Sequence, residues 1–525
     1  MRHPALAALA LAAASCAHVP ARFVDRPPVL AVADDSPIAM PRRRAYSGFS
    51  PDTISDAYLR HVLVDTLDPA RTPEAVDINA LDDVPRSSWF RPEPPRDAAP
   101  GSAPLPPFEL DIAAAPDGWP SPHSERGDAT VPVIDAQGRR YVLRRDSSEH
   151  PEMRTAAEVI AGRLVRAIGY LTPDVEIIDL TPGNFTTPDP ARTFLEAGPP
   201  PRAGLFRVSA TRWPIGIDLG PTPEAATRRD DPNDRLSHLD RRTLRALRVV
   251  AAWLRLTRLE PKRLRDVYVG RAPRGHVEHY IVGLHGALGA DAVLALSDVP
   301  AIGPDREGTL RRLITLGLLP QPAPAPTQTK WSSLGEISGT VSVQDLSPSP
   351  SFVPFRRALP GDDYWVARRI AAIPHGVLAG AVAAGRLGDY TASDWLRQVL
   401  EARRAQVVAY AFDRVTPCEV DGLDGGALLL RDLAVAYGLA TAASTLYLVE
   451  QLGASGDALV APAWVHGTSE RVRLELSPAA LASGDSLVIR VWAARSGKGT
   501  APRALEVHLR RGAPGPTWRV RGVRH

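Results

Sequence analysis

The chain reads as an α+β protein with a mixed body over residues 125–412 and an antiparallel β-rich module over 413–525. Three observations predict this. From about residue 130 a strand, a turn, a second strand, an amphipathic helix and a third strand follow one another. Further on, apolar residues recur at helical spacing in three separate stretches before residue 412. In the last hundred residues the period changes to two, in short runs separated by Gly, Pro and Ser. A period of two with one polar face marks antiparallel sheet, whereas a period near 3.6 marks helix.

The first element is not part of the fold. Met1, Arg2 and His3 make a basic start, residues 5–14 are an Ala/Leu run, and Ala13-Ala14-Ser15 lead into Cys16. Charged, apolar and then small residues are the order of a secretory signal. The apolar run is half of the roughly 20 residues that a spanning helix needs, so residues 1–15 are expected to be removed rather than retained as an anchor. The small residues before Cys16 resemble a lipobox, which implies acylation of that thiol and membrane lipid as a partner. Ala17, in place of Asp, resembles the sorting pattern of outer-membrane lipoproteins, so the cell envelope is the expected location. The other cysteine is Cys418; with Cys16 lipidated no intramolecular disulfide forms, and stability must come from an ordinary core.

Residues 16–50 are polar, Pro-rich and aperiodic, as expected of a flexible tether. Residues 51–124 form an N-terminal extension, with a short element around Asp77-Ile78-Asn79-Ala80-Leu81-Asp82-Asp83, then Ser87-Ser88-Trp89-Phe90, and a Pro-rich linker at 91–107. Val131-Pro132-Val133-Ile134 and Tyr141-Val142-Leu143 flank a Gly-containing turn and predict a hairpin. Ala156, Ala157, Val159, Ile160, Leu164, Val165 and Ile168 share one helix face, with Gly169 as the stop, and Val175-Glu176-Ile177-Ile178 returns to strand. Leu244, Leu247, Val250, Ala251 and Leu254 predict a helix over 240–256, and Tyr280-Ile281-Val282 a short buried strand. The stretch 320–326 is a Pro-rich spacer; helices are predicted over 362–373 and 392–411, the second capped by Thr391 or Ser393. Alternation at Val472/Leu474/Leu476, Leu487/Ile489/Val491 and Leu505/Val507/Leu509, followed by Trp518-Arg519-Val520-Arg521, predicts the terminal strands of a β-sandwich-like module.

Composition excludes some functions. The net charge is +3 and basic residues form no stripe, so a nucleic-acid surface is not expected. There is no G-x-S-x-G elbow for a serine hydrolase. Arg495-Ser496-Gly497-Lys498-Gly499-Thr500 mimics a phosphate loop, but Trp492 stands where its first glycine belongs. His276, His279 and His285 share neither a helix face nor a strand face, so they are expected to be solvent-facing imidazoles rather than metal ligands.

A longer ordered series carries more. It comprises Tyr141 to Asp146, Pro151-Glu152-Met153-Arg154 through Glu158, Ala167-Ile168-Gly169-Tyr170, Arg229-Asp230-Asp231-Pro232-Asn233-Asp234, His238, Leu247 to Leu254, His279-Tyr280-Ile281, Asp363-Tyr364-Trp365 and Arg403-Arg404. This series resembles an uncharacterised family of large exported bacterial proteins with a HipA-type or phosphoinositide-kinase-like layout. The resemblance implies a two-lobed body, with a small β-rich lobe holding one helix and a larger helical lobe. It also implies a phosphate site: a strand lysine paired with a helix glutamate, an Asp and an Asn five residues apart, and a metal-binding Asp-Phe-Gly. At those positions this chain has Arg144, Arg258, Arg263 and Gly283-Leu284-His285; only Glu158, the helix glutamate, remains. Arginine and glycine offer no oxygen side chains for Mg²⁺. Either Arg144, Arg258 and Arg263 now face an anion or a partner carboxylate, or Arg144 simply pairs with Glu158 and the others are solvated.

The resulting expectation is a non-catalytic, pseudokinase-like envelope lipoprotein with a scaffold or binding role, no cofactor and no metal. Two alternatives remain. One is a divergent phosphotransferase using Asp230, Asp231 and Asp234 as metal ligands, a segment that otherwise reads as a turn before a helix. The other is a glycan-contacting protein using Trp464, Trp492 and Trp518 of the β-module.

Overall fold

The computed structural model describes residues 34–43, 74–92, 110–111, 123–125, 128–223, 226–257, 259, 263–295, 329–342, 352–512 and 517–525. Cys16, the signal segment, Arg258 and the spacer at 320–326 lie outside them. The chain is a mixed α/β protein with several antiparallel sheets, and it divides into two compact units. One comprises Leu30–Asp77 and Val84–Val408; the other joins Ile78–Asp83 to Ala409–His525.

The first unit is built on a six-stranded antiparallel sheet. Its strands are β1 (Leu110–Asp111), β2 (His123–Glu125), β3 (Asp128–Asp135), β4 (Arg140–Arg145), β5 (Asp174–Leu180) and β6 (Phe206–Arg212), in the order β1-β3-β4-β6-β5 with β2 on β3. The predicted hairpin is β3–β4. Its turn closes because the Asp135 carboxylate accepts the backbone N–H groups of Gln137 and Arg139, at 3.0 and 2.8 Å, while Gly138 takes a positive φ of 74°.

Helix α1 (Met153–Ile168) covers one face of this sheet, Val159 packing against Val175 and Ile177. On the other face Val133, Tyr141, Leu143, Val208 and Ala210 meet Leu195 of α2 (Pro188–Glu196). The start of α1 is held by Asp146, whose carboxylate accepts the N–H groups of Arg154 and Thr155 at 2.8 and 3.0 Å. Gly169 ends the helix at φ 119°, and a Cβ there would sit 2.4 Å from the Arg91 carbonyl oxygen, so only glycine fits.

A three-stranded sheet follows, in the order β7 (Ile217–Pro221), β8 (Leu264–Val269) and β9 (His276–Ile281). The helix expected over 240–256 is broken into α3 (Arg242–Arg245) and α4 (Leu247–Trp253). Asp77 accepts from the Thr243 N–H and hydroxyl at 3.2 and 3.0 Å, fixing the start of α3 against a segment 166 residues earlier.

Among the described residues, helices α5 (Ala290–Ala295), α6 (Pro360–Ala371), α7 (His375–Ala384) and α8 (Tyr390–Phe412) follow. At the start of α8 the Asp389 carboxylate, not Thr391 or Ser393, takes the exposed N–H, that of Thr391 at 2.8 Å. Arg403 on α8 is fully buried and donates to the carbonyls of Trp253, Ser338 and Thr340 at 2.9, 3.1 and 2.7 Å. It thereby satisfies a helix end that has no intrahelical donors.

Residues 34–43, within the stretch expected as a tether, run along this unit. Ile38 donates its N–H to Gly275 at 2.8 Å, and Asp34 accepts from the Ser88 N–H and hydroxyl.

The second unit consists of two antiparallel sheets around one core. Strands β10 (Cys418–Asp424), β11 (Ala427–Asp432) and β14 (Arg471–Glu475) form one sheet. The other runs β13 (Ala463–His466), β12 (Thr445–Gly453), β15 (Ser486–Arg495), β17 (Leu505–Arg511) and β18 (Trp518–Arg524), with β16 (Gly499–Thr500) on β15. Leu428, Leu430, Val472 and Leu474 of the first meet Tyr447, Ile489, Val491 and Val507 of the second. Ile78–Asp83 adds to this unit: Ala80 accepts the Val523 N–H at 2.8 Å, and Asp82 pairs with the His525 ring at 2.9 Å.

Candidate functional site

The first expected position is on β4. Its alternation sends Tyr141 and Leu143 into the core and Arg144 to the face covered by α1. Ser209 is the register partner of Arg144 on β6, so both side chains stand side by side beneath Glu158. Arg144 Nε lies 3.2 Å from Glu158 Oε2, and the Ser209 hydroxyl donates to the same oxygen at 3.0 Å. All three residues are buried.

Arg263 and Gly283 are brought together as well. The Arg263 guanidinium donates to the Gly283 carbonyl and, at 2.7 Å, to Asp291 on α5. Asp291 also receives Arg154 from the first turn of α1, at 3.3 Å. Of the two readings offered for Arg263, the solvated one does not hold, because the side chain is buried against this carboxylate. Gly283 takes a positive φ of 66° and leads into a short 3₁₀ turn, Leu284–Gly286. Every charge at the described positions of the expected phosphate site is therefore matched by a side chain of the same unit.

The acidic segment has a different fate. Asp230, Asp231 and Asp234 do not converge on open space. Asp230 accepts the Arg42 N–H at 2.8 Å and pairs with Arg228 at 3.1 Å. Asp231 accepts the Asn233 N–H at 2.8 Å, closing a turn, and burial pushes its carboxyl up. Asp234 is enclosed: one oxygen meets Arg241 at 2.9 Å, the other His238 at 2.8 Å and the Arg228 N–H at 2.6 Å. Burial alone would raise its pKa, but His238 and Arg241 outweigh it and hold the carboxyl well below the usual range.

Asp266 on β8 is the second anchor of this network. Its carboxylate meets Arg228 and the His279 ring, each at 2.8 Å, and the Thr222 hydroxyl. Here too burial opposes ionisation, and His279, Arg228 and Thr222 overcome it to leave the carboxyl at about 2. His279 stacks on Trp89 with centroids 3.8 Å apart, His238 meets the same ring edge-on at 4.8 Å, and Arg241 lies over it at 4.9 Å.

The solvent-facing reading of the histidines is thus corrected for His279, which is only 3% exposed. The reason is register: His279 stands directly opposite Asp266 in the β8–β9 ladder. His276 and His285 are half-buried. Among the described residues no group of three or more His, Cys, Asp or Glu is arranged to hold a metal ion.

Sequence reasoning passed over Arg228 and Asp266, and gave Asp146 no role of its own. The signal available was a charged residue inside an apolar strand, as in Leu264-Arg265-Asp266-Val267-Tyr268, since an ion there must find a partner. In the β-unit Trp464 is 53% exposed and Trp492 half-buried, but Trp518 packs toward the core beneath Arg511.

No family model matches the chain, and no curated protein matches it. Among solved structures it is similar to a proinflammatory kinase of Helicobacter pylori, CtkA, with a TM-score of 0.28 and 8% identity over 57% of this chain and 96% of that one.

Proposed function

We propose that this protein is a non-catalytic, pseudokinase-like lipoprotein of the cell envelope, anchored through Cys16 and serving as a scaffold or binding protein. The observation that carries the reading is the closure of the expected phosphate site by its own side chains: Arg144 on Glu158, and Arg263 with Arg154 on Asp291. Phosphoryl transfer needs carboxylate or amide oxygens free for Mg²⁺. Glu158 and Asp291 already serve guanidinium groups, and Gly283 offers only a carbonyl taken by Arg263. The rival phosphotransferase reading meets the same difficulty, because both oxygens of Asp234 have hydrogen-bond donors.

A thermal-shift titration with ATP, run with and without Mg²⁺, tests this. A ligand at one hundred times its Kd stabilises by about 2.7 kcal/mol, easily visible as a raised Tm. No Mg²⁺-dependent shift is expected. A shift that requires Mg²⁺ and vanishes in Asp231→Ala would overturn the reading and restore the 230–234 segment as an active site.

The anchor has its own test. Cys16→Ser is expected to move the protein to the soluble periplasmic fraction and abolish labelling by a fatty-acid analogue. Wild-type protein that takes up no label would remove the lipoprotein assignment.

A second reading, contact with envelope glycan, is favoured by one arrangement. In the β-unit Leu448 is the register partner of both Trp464 and Trp492, which places the two indoles in one cross-strand row on the outer face of the larger sheet. The Arg490–Glu506 pair, at 2.7 Å, stands on the same face. Trp464→Ala is expected to weaken binding of the full chain to insoluble peptidoglycan by roughly tenfold or more, the scale of a tryptophan anchor. Equal binding by wild type and variant would end this reading.

A further inference from the structure

At the C-terminal end of α1 the first unit encloses a cleft of about 320 Å³, the lower end of the range that holds small ligands. It lies at Arg166, eight residues beyond Glu158 and so about 12 Å along the helix axis from it. It is therefore separate from the closed phosphate site.

Three arginines reach the cleft: Arg91, Arg166 and Arg212. Arg91 pairs with Glu278, which also accepts from the Tyr280 hydroxyl at 2.7 Å. Arg166 pairs with Asp174 and donates to the Thr172 carbonyl at 2.6 Å. Arg212 stands opposite Asp174 in the β5–β6 ladder, but that carboxylate is engaged by Arg166. Among the described residues Arg212 has no acid as hydrogen-bond or ion-pair partner. Three cations against two carboxylates leave one positive charge in excess. Thr172, Asp174 and Tyr280 also line the cleft, the Thr172 carbonyl and the Tyr280 hydroxyl already hydrogen-bonded, and Leu171, Pro173, Trp213, Pro214 and Ile215 form an apolar side; the last is 82% exposed.

We propose that this cleft binds a small monocarboxylate with an apolar body. The planar guanidinium of Arg212 matches a carboxylate with two parallel N–H···O bonds. A single negative charge balances the single excess positive one, whereas dianionic phosphate would leave a charge uncompensated. The apolar body would rest against Pro214 and Ile215, removing the exposed isoleucine from water.

Isothermal titration of the full chain with 3-phenylpropionate, at fixed ionic strength, tests the proposal, with acetate and inorganic phosphate as comparators. Saturable binding of 3-phenylpropionate is expected, at least tenfold tighter than either comparator and at least tenfold weaker in Arg212→Gln. Ile215→Ser, at a position too exposed to affect folding, is expected to weaken it about threefold and keeps the test open should Arg212→Gln fail to fold. Absence of saturable binding, or equal affinity in both variants and wild type, overturns the proposal; tighter phosphate binding replaces carboxylate with phosphate as the ligand. None of these outcomes depends on whether the chain binds Mg²⁺-ATP.

Discussion

Asp234→Ala is expected to destabilise the protein by about 3–5 kcal/mol, because removing one partner of a buried ion pair strands the others. The change would leave Arg241, His238 and the Arg228 N–H without their shared acceptor in a site closed to water. Urea unfolding followed by tryptophan fluorescence measures it, since Trp89 touches both His238 and Arg241. A loss below about 1 kcal/mol would mean that the segment is a surface turn and would reopen its use as a ligand site. The same network sets an acid limit. The Asp266 carboxyl sits at about 2 against an ordinary 3.8, so it binds its proton more weakly folded than unfolded. Its contribution is complete above about pH 4 and is lost as pH falls through the folded value, on the order of 2 kcal/mol for a shift of that size. Asp266→Asn should flatten the acid limb of the stability curve; an unchanged limb would show that other groups control it.

Glu158→Ala is expected to cost about 3–5 kcal/mol as well, since Arg144 would be left buried with its Nε partner gone and the Ser209 hydroxyl would lose its acceptor. The double variant Arg144→Leu/Glu158→Leu should recover most of that loss, because replacing both ions by apolar groups removes the desolvation cost along with the pair. A double-mutant cycle then gives a coupling of about 2 kcal/mol or more for groups in direct contact. If Glu158→Ala is close to neutral, Arg144 does not depend on Glu158, and the pairing no longer supports a closed site.

The elements were legible wherever one local period dominated. The hairpin β3–β4, helix α1 with its stop at Gly169, and the alternating strands β14, β15 and β17 follow from residues within a few positions of one another. The pairing of Arg144 with Glu158 was also accessible, as one of two readings, because strand and helix are neighbours in sequence.

What the sequence did not reveal depends on residues far apart along the chain. Asp77 caps the start of α3 from 166 residues away, a position that no local signal marks as a helix start. Ile78–Asp83 belongs with the β-unit through Ala80 and Val523, although it lies among residues that read as an N-terminal extension. His279 looked solvent-facing because its spacing from His276 suits no shared face; its burial came from lying opposite Asp266 in a ladder.

By itself, then, the sequence determined strands and helices where a single local period runs through a segment, since backbone geometry converts that period directly into one wet and one dry face. Only the tertiary structure decided which charges are surface and which are core. Arg228, Asp234 and Asp266 carry the same letters as solvated residues, and a charged side chain is stable in the interior only where the fold brings its counter-ion within hydrogen-bond reach.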